Sequence, residues 1–292
     1  MRILGTIFAG LLGLAFGSFL NVCLSRWPKG ESIVQPRSHC RNCEHTLSWW
    51  ENMPLASWLA LRGRCRNCRA WIGWRYPLVE LAVGVLWAIA WSGLYENLLA
   101  APFPNLDWLL PAVGSTILFW LLTGLAVLDA EHLWLPNAVT IPGIAIGLAF
   151  AVAHAEYHYH SSLRTFDTTT PPFDALLYRL IGAVLAAGLI LLIRWVYWLI
   201  RRREGIGLGD AKLMALLAAW LGLPGALLAF GLGVVLGAVA ALVMLALPAA
   251  HRSEGGWAVQ KLPLGTFLCV GGIVSSLWGQ PIIAAYLRLA GF

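Results

Sequence analysis

Apolar residues along this chain fall into long, unbroken runs, at 3–24, 78–95, 109–128, 137–153, 176–200, 211–223, 226–247 and 263–287. A helix that crosses a bilayer needs about 20 predominantly apolar residues. The pattern therefore predicts an all-α polytopic membrane protein with about eight transmembrane helices. The run at 211–223 is short and closes on Gly222-Leu223-Pro224-Gly225. It reads as a tilted helix, a half-span, or one arm of a hairpin with the run that follows, and seven spans is the alternative count. The first run is followed directly by Arg26 and Lys29, a stop-transfer pattern rather than a cleavable signal.

The polar stretches set the organisation: a first transmembrane helix over 1–25, a small cytoplasmic loop domain over 26–77, and a transmembrane core over 78–292. No internal repeat and no coiled coil stands out. The connector 154–175 carries His154, His158 and His160 and reads as a wet, mobile outer loop in preference to a metal tract.

Composition narrows the class. Of the 292 residues 59% are apolar and only 12% charged, against about 25% charged in a soluble domain, which excludes soluble enzymes, disordered tails and collagen-like fibres. The net charge of +6 is then a topology signal rather than a sign of nucleic acid. If 26–75 is cytoplasmic, alternation places 129–136, 201–210 and 248–262 inside too. Of the 20 Lys and Arg, only Arg2, Arg164, Arg179 and Arg288 then fall outside, leaving 16 inside. By the positive-inside rule this predicts both termini on the outer side.

Four of the six cysteines repeat one word, Cys40-Arg-Asn-Cys43 and Cys65-Arg-Asn-Cys68, separated by 21 residues in a basic, polar stretch. A tight CxxC turn holds two sulfurs on one side, and two such turns complete a tetrahedral, closed zinc site of the structural kind. The alternatives are four reduced thiols or two disulfides. Cys23 and Cys269 lie in apolar segments and read as small buried hydrophobes.

Two of the five aspartates abut apolar helices at the inner face: Asp129 ends the third run and Asp210 opens the sixth. A carboxylate at membrane depth costs about 2.5–3.5 kcal/mol even on the lenient insertion scale, so it is a functional candidate. Two close carboxylates share a proton, and one can accept from water while the other donates to a leaving group, as in aspartic peptidases. Gly207 and Gly209 are expected to allow unusual backbone angles and close approach of an extended substrate to Asp210. Asp210 alone is equally readable as a helix N-cap. For Asp129, at a helix C-terminus, the dipole disfavours negative charge.

With these residues in place the chain resembles the bacterial type IV prepilin peptidases of the GxGD class of intramembrane aspartic proteases. The resemblance rests on Gly17-Ser-Phe-Leu-Asn21-Val, both CxxC words, Trp50-Glu51-Asn52-Met-Pro54, Arg62-Gly-Arg64-Cys65, Trp74-Arg-Tyr-Pro-Leu-Val-Glu80, the Asp129 and Gly207–Asp210 segments and Lys261-Leu-Pro-Leu-Gly265. It implies a leader peptidase and N-methyltransferase that cleaves the basic leader of type IV prepilins and type II secretion pseudopilins, then methylates the new N-terminus with S-adenosylmethionine. It implies Asp129 and Asp210 as the catalytic pair and Cys40, Cys43, Cys65 and Cys68 as zinc ligands. Glu131 stands where the family often has Asp, and Pro263-Leu-Gly265-Thr266 departs from the usual late motif.

The methyltransferase half has no residue assigned from sequence. Gly13, Gly17 and Asn21 at helical spacing read as a packing seam. Glu51, Asn52 and Glu80 are candidates to contact leader or cofactor, with zinc-loop packing the plainer role. Glu131, Glu51, Glu80 and Glu204 are the acids available to a basic leader. A transporter relaying ions or protons through the Asp pair is the alternative reading.

Overall fold

The computed structural model of the chain describes residues 2–98, 106–162, 171–202, 207–246 and 262–291. Glu204, Arg164, Arg203, Arg252 and Lys261 lie outside the described residues. Among the described residues seven long helices and one short one carry the fold: α1 (Arg2–Arg26), α2 (Ala56–Ala60), α3 (Arg75–Leu98), α4 (Leu106–His132), α5 (Asn137–Ser162), α6 (Pro172–Arg201), α7 (Leu208–Ala246) and α8 (Leu264–Leu289). Among the described residues the only β structure is two isolated bridges. Among the described residues six helices are long and apolar enough to cross a membrane, α3 not being one of them. The chain divides into two compact units, Met1–Gly124 and Leu125–Phe292.

In the first unit α1 packs on α3 through small residues. A Cβ added to Gly13 would sit 2.9 Å from Gly84 Cα, and one on Gly17 would sit 2.7 Å from Glu80 Cα. The backbones meet so closely that only glycine fits, the small-residue seam of a membrane helix pair. One turn further on, Asn21 Nδ2 donates to Tyr76 O at 3.0 Å and ties the two helices together where the loop enters α3.

In the second unit α7 is broken at Gly222 (φ 76°, ψ 170°), two residues before Pro224. Contacts on either side of the break run in opposite directions. From Gly209 beside Leu135 to Trp220, whose indole donates to Gly143 O at 2.9 Å, the first arm climbs along α5. Beyond the break, Ser275 Oγ donates to Gly225 O at 2.8 Å, while Gly233 and Gly237 abut Leu268 and Phe267, so the second arm descends along α8. The runs at 211–223 and 226–247 are thus the arms of one hairpin. Residues 208–221 rise about 21 Å at 1.5 Å per residue, short of the about 30 Å of a bilayer core. The carbonyls left open at this internal helix end receive Arg179, whose Nη1 donates to Trp220 O at 2.8 Å, a cation at a helix C-terminus where the dipole favours it. Arg179, counted by sequence among the outer cations, is in fact partly buried inside the bundle.

The connector after α5 also differs from expectation. The helix continues to Ser162, so His154 and His158 lie on consecutive turns of it, their Nε2 atoms 3.2 Å apart, rather than in a loop.

Candidate active site

Asp129 sits in the last turn of α4 and Asp210 in the first turn of α7, both in the second unit and both buried at 6% and 8% exposure. Asp210 is the third residue of its helix. Its Oδ2 reaches back to accept the N–H of Gly207, the cap position, at 3.1 Å, which is half of a capping box. Asp210 is therefore not the N-cap read from the sequence but the N3 residue that reaches back to it, and this bond leaves its other oxygen for a functional role. Asp129 Oδ2 accepts the backbone N–H of Thr266 at 2.7 Å and its hydroxyl at 3.2 Å. Two donors from α8 thus offset the unfavourable end of α4's dipole.

Leu135 brings the two ends together. It touches Gly209, next to Asp210, and Gly265, which lies against Asp129. Through Leu135 the helix ends that carry Asp129 and Asp210 are brought to one place. Gly207 and Gly209 do contribute closeness, but not through unusual backbone angles, since neither has a positive φ. What matters is the missing Cβ: one on Gly207 would lie 3.3 Å from Asp210 Oδ2, and one on Gly209 would lie 3.1 Å from Leu135 Cβ. Gly265 is tighter still, with a Cβ falling 2.9 Å from Asp129 Cγ. The arrangement is a pair of buried, mutually repelling carboxylates, each oriented by backbone, with side chains removed from around them.

The first unit holds the cysteines. Cys40, Cys43, Cys65 and Cys68 place their four sulfurs within 4.8 Å of one another, and none is in a disulfide. Cys40 and Cys68 are 3.8 Å apart and Cys43 and Cys65 3.9 Å. A tetrahedron with metal–sulfur bonds of about 2.3 Å has edges of about 3.8 Å, so the set fits a thiolate-bound tetrahedral ion.

The shared word extends into a true structural repeat. Cys40 N donates to His45 O and Glu44 N to Cys40 O, and 25 residues on (40 to 65) Cys65 N donates to Ala70 O and Arg69 N to Cys65 O. Glu44 and Arg69 both take positive φ, and the bridges His39 to Thr46 and Arg64 to Trp71 correspond. Each knuckle also serves the other: Asn42 donates to Cys68 Sγ at 3.5 Å and Asn67 to Cys43 Sγ at 3.6 Å. The Ala70 N–H, then the Asn42 amide, draw the Cys68 thiol down to about 6, whereas burial pushes Cys40 up to about 11.

With this geometry in view, the chain matches the Bacterial Peptidase A24 N-terminal domain over residues 11–93 and the Type IV leader peptidase family over 116–242. It is 33% identical to a prepilin leader peptidase/N-methyltransferase of Stutzerimonas stutzeri, across 96% of this chain and 93% of that protein. The chain belongs to the type IV leader peptidase family. A Pseudomonas aeruginosa protein of the same name is likewise 33% identical, over 97% and 93% of the two chains. One from Myxococcus xanthus is 38% identical over 82% of this chain and 63% of its own length. No solved structure matches.

Within this leader-peptidase frame, the polar candidates of the loop separate by burial. Glu51 Oε2 accepts the N–H of Ser48 at 2.8 Å, along with the Ser48 hydroxyl and His45. The hydroxyl first and the N–H second hold its carboxyl below the ordinary value. Glu80 Oε2 accepts Leu55 N at 2.8 Å. Both acids staple the loop, the packing role that was the plainer of their two readings, and being buried they are withdrawn from a leader. Glu131, two residues after Asp129, is exposed, with His132 Nε2 3.9 Å from its Oε2. Sequence reasoning missed Thr266, Gly265 and Leu135 as partners of the pair. The Lys261–Gly265 motif was visible, but not what its end touches 137 residues earlier.

Proposed function

We propose that the chain is a membrane aspartic endopeptidase of the bacterial inner membrane that removes the basic leader of type IV prepilins and type II secretion pseudopilins on the cytoplasmic side, then N-methylates the new N-terminus with S-adenosylmethionine. The observation that carries the peptidase reading is the pair Asp129 and Asp210, buried together and cleared of neighbouring side chains by Gly207, Gly209 and Gly265. Two such groups with one proton between them suit amide hydrolysis: one draws a proton from the attacking water, the other gives one to the departing nitrogen. Because a helical amide is hidden in its own hydrogen bonds, the substrate must be extended at the scissile bond. The relatives' names supply the substrate class and the second activity.

Zinc on Cys40, Cys43, Cys65 and Cys68 would act as a structural ion, closed by four thiolates, supplying folding energy to a loop with little apolar core. The comparisons are with peptidases throughout, and no feature of the helices favours a transporter.

Asp129→Ala and Asp210→Ala are each expected to cut the cleavage rate of a prepilin in membranes by about 100-fold or more, with the protein still inserted. Cleavage near the normal rate by either variant overturns the pair.

A further inference from the structure

The structural repeat of the loop carries more than its sulfurs. At the offset that maps Cys40 onto Cys65 and Thr46 onto Trp71, Trp49 falls on Trp74. Each knuckle thus ends on a tryptophan, and both are mostly exposed, Trp49 at 77% and Trp74 at 60%. The second knuckle also exposes Trp71 at 54% and Leu59 at 67%. Large apolar groups grouped on a surface mark a place where something covers them.

What covers them follows from the helices they adjoin. α1 and α3 run antiparallel side by side, with Gly13 on Gly84, Gly17 on Glu80 and Asn21 bonded to Tyr76. α3 therefore lies along the apolar length Ile3–Lys29 that makes α1 a candidate membrane span. The exposed apolar residues of α3 are Leu78, Leu81, Val85 and Ile89, a stripe at helical spacing. Leu78 N donates to Trp74 O at 3.1 Å, so Trp74 stands one turn earlier in the same register, at the head of that stripe. On α1 the exposed positions Leu4, Phe8, Leu11, Ala15 and Phe19 form the matching stripe, and Ala15 and Phe19 line one cleft with Trp49 and Asn52. Each apolar stripe thus leads to the tryptophan of one knuckle.

The knuckles hold these positions. Trp58 donates through Nε1 to Ile72 O at 3.1 Å, and its ring centroid lies 5.9 Å from that of Trp71 and 4.6 Å from that of Trp74. A Cβ on Gly63 would lie 2.7 Å from the Trp71 ring, so the backbone is pressed against the cluster. Arg64 is exposed and faces Trp71 across their bridge, and residues opposite one another in a bridge share a face. An indole, apolar in body and polar at one edge, with a cation beside it suits the headgroup layer of a bilayer.

We propose that the loop stands on the membrane: Trp49 of one knuckle and Trp71 and Trp74 of the other enter the boundary between headgroups and acyl chains, and Arg64 reaches the lipid phosphates. The exposed aromatic surface is then covered by the bilayer that α1 enters, and the two knuckles are interfacial feet rather than a domain free in water. This depends on α1 entering a membrane and on neither enzymatic activity.

Purified full-length protein is placed in nanodiscs of phosphatidylethanolamine and phosphatidylglycerol containing a phospholipid with a diazirine next to its glycerol, irradiated, digested and mapped by mass spectrometry. Adducts are expected on residues 47–53 and 70–74 as well as on the stripes of α1 and α3. Hydroxyl radicals generated in the water phase are expected to oxidise Trp49, Trp71 and Trp74 far more slowly in nanodiscs than in the unfolded chain. Adducts confined to the two helices overturn the proposal: with rapid oxidation the knuckles stand in water, and with slow oxidation another protein or a second copy covers them. Trp71→Ser combined with Trp74→Ser is expected to lose the adducts on 70–74 and keep those on 78–89, whereas Trp71→Phe with Trp74→Phe keeps both. Undiminished 70–74 adducts in the serine variant overturn the indoles as anchors. Should that variant lose its fold, the adduct map of the unaltered protein still decides.

Discussion

Gly265 and Thr266 do for Asp129 what Gly207 does for Asp210: they aim a carboxylate with backbone and leave no side chain in its way. Gly265→Ala puts a methyl 2.9 Å from Asp129 Cγ, closer than real Cβ contacts come, so the carboxylate must turn away from Leu135 and its partner. A misplacement of about 1 Å at a reacting group costs about 100-fold, and that is the expected fall in prepilin cleavage, with membrane insertion and metal content unchanged. Thr266→Val keeps the N–H bond and loses the hydroxyl, which lies 3.2 Å from Asp129 Oδ2 and 2.9 Å from Ala126 O, so its loss is expected to be about tenfold. Equal activity in Gly265→Ala and the unaltered enzyme would show that Asp129 is not positioned from α8. The two aspartates were legible in the sequence because charge is rare there and its placement stands out. Their orienting residues were not, since a glycine and a threonine are ordinary in a membrane helix until the contact across 137 residues is seen.

At the scale of elements, the loop between α1 and α3 is two copies of one knuckle that exchange second contacts. Metal-bound thiolates take much of their affinity from such outer donors, whose removal costs about 10- to 100-fold. Asn42→Ala and Asn67→Ala are therefore expected to weaken zinc binding by similar factors, about tenfold each, measured by competition with a chromogenic chelator. Cys43→Ser, which removes a ligand outright, is expected to leave less than one ion per chain. Two asparagine variants that differ by orders of magnitude would refute the equivalence of the knuckles. The sulfurs were readable from spacing alone because a CxxC turn is a local object. The cross-knuckle asparagines and the two glutamate staples were not, because the same letters equally suit a solvated turn, and only burial separates Glu51 and Glu80 from Glu131.

For the whole molecule, the hydrophobic pattern came close to the helices, and it went astray where apolarity is silent on direction. The run at 211–223 reads equally as a tilted helix, a half-span or one arm of a hairpin with 226–247, and the contact order along α5 and α8, reversing at Gly222, selects the hairpin. The same silence applies to sidedness, which rests on where the cations lie. The second unit offers a test at two exposed positions: Glu131 at the end of α4 and Phe173 at the start of α6, with α5 running between them. Phe173→Cys is expected to react with a membrane-impermeant maleimide in intact spheroplasts, and Glu131→Cys only in inverted vesicles. The opposite pattern would put the Asp pair on the outer side, where a peptidase acting on cytoplasmic leaders could not work, and would remove the positive-inside rule as the reason for the loop's nine cations between Arg26 and Arg75.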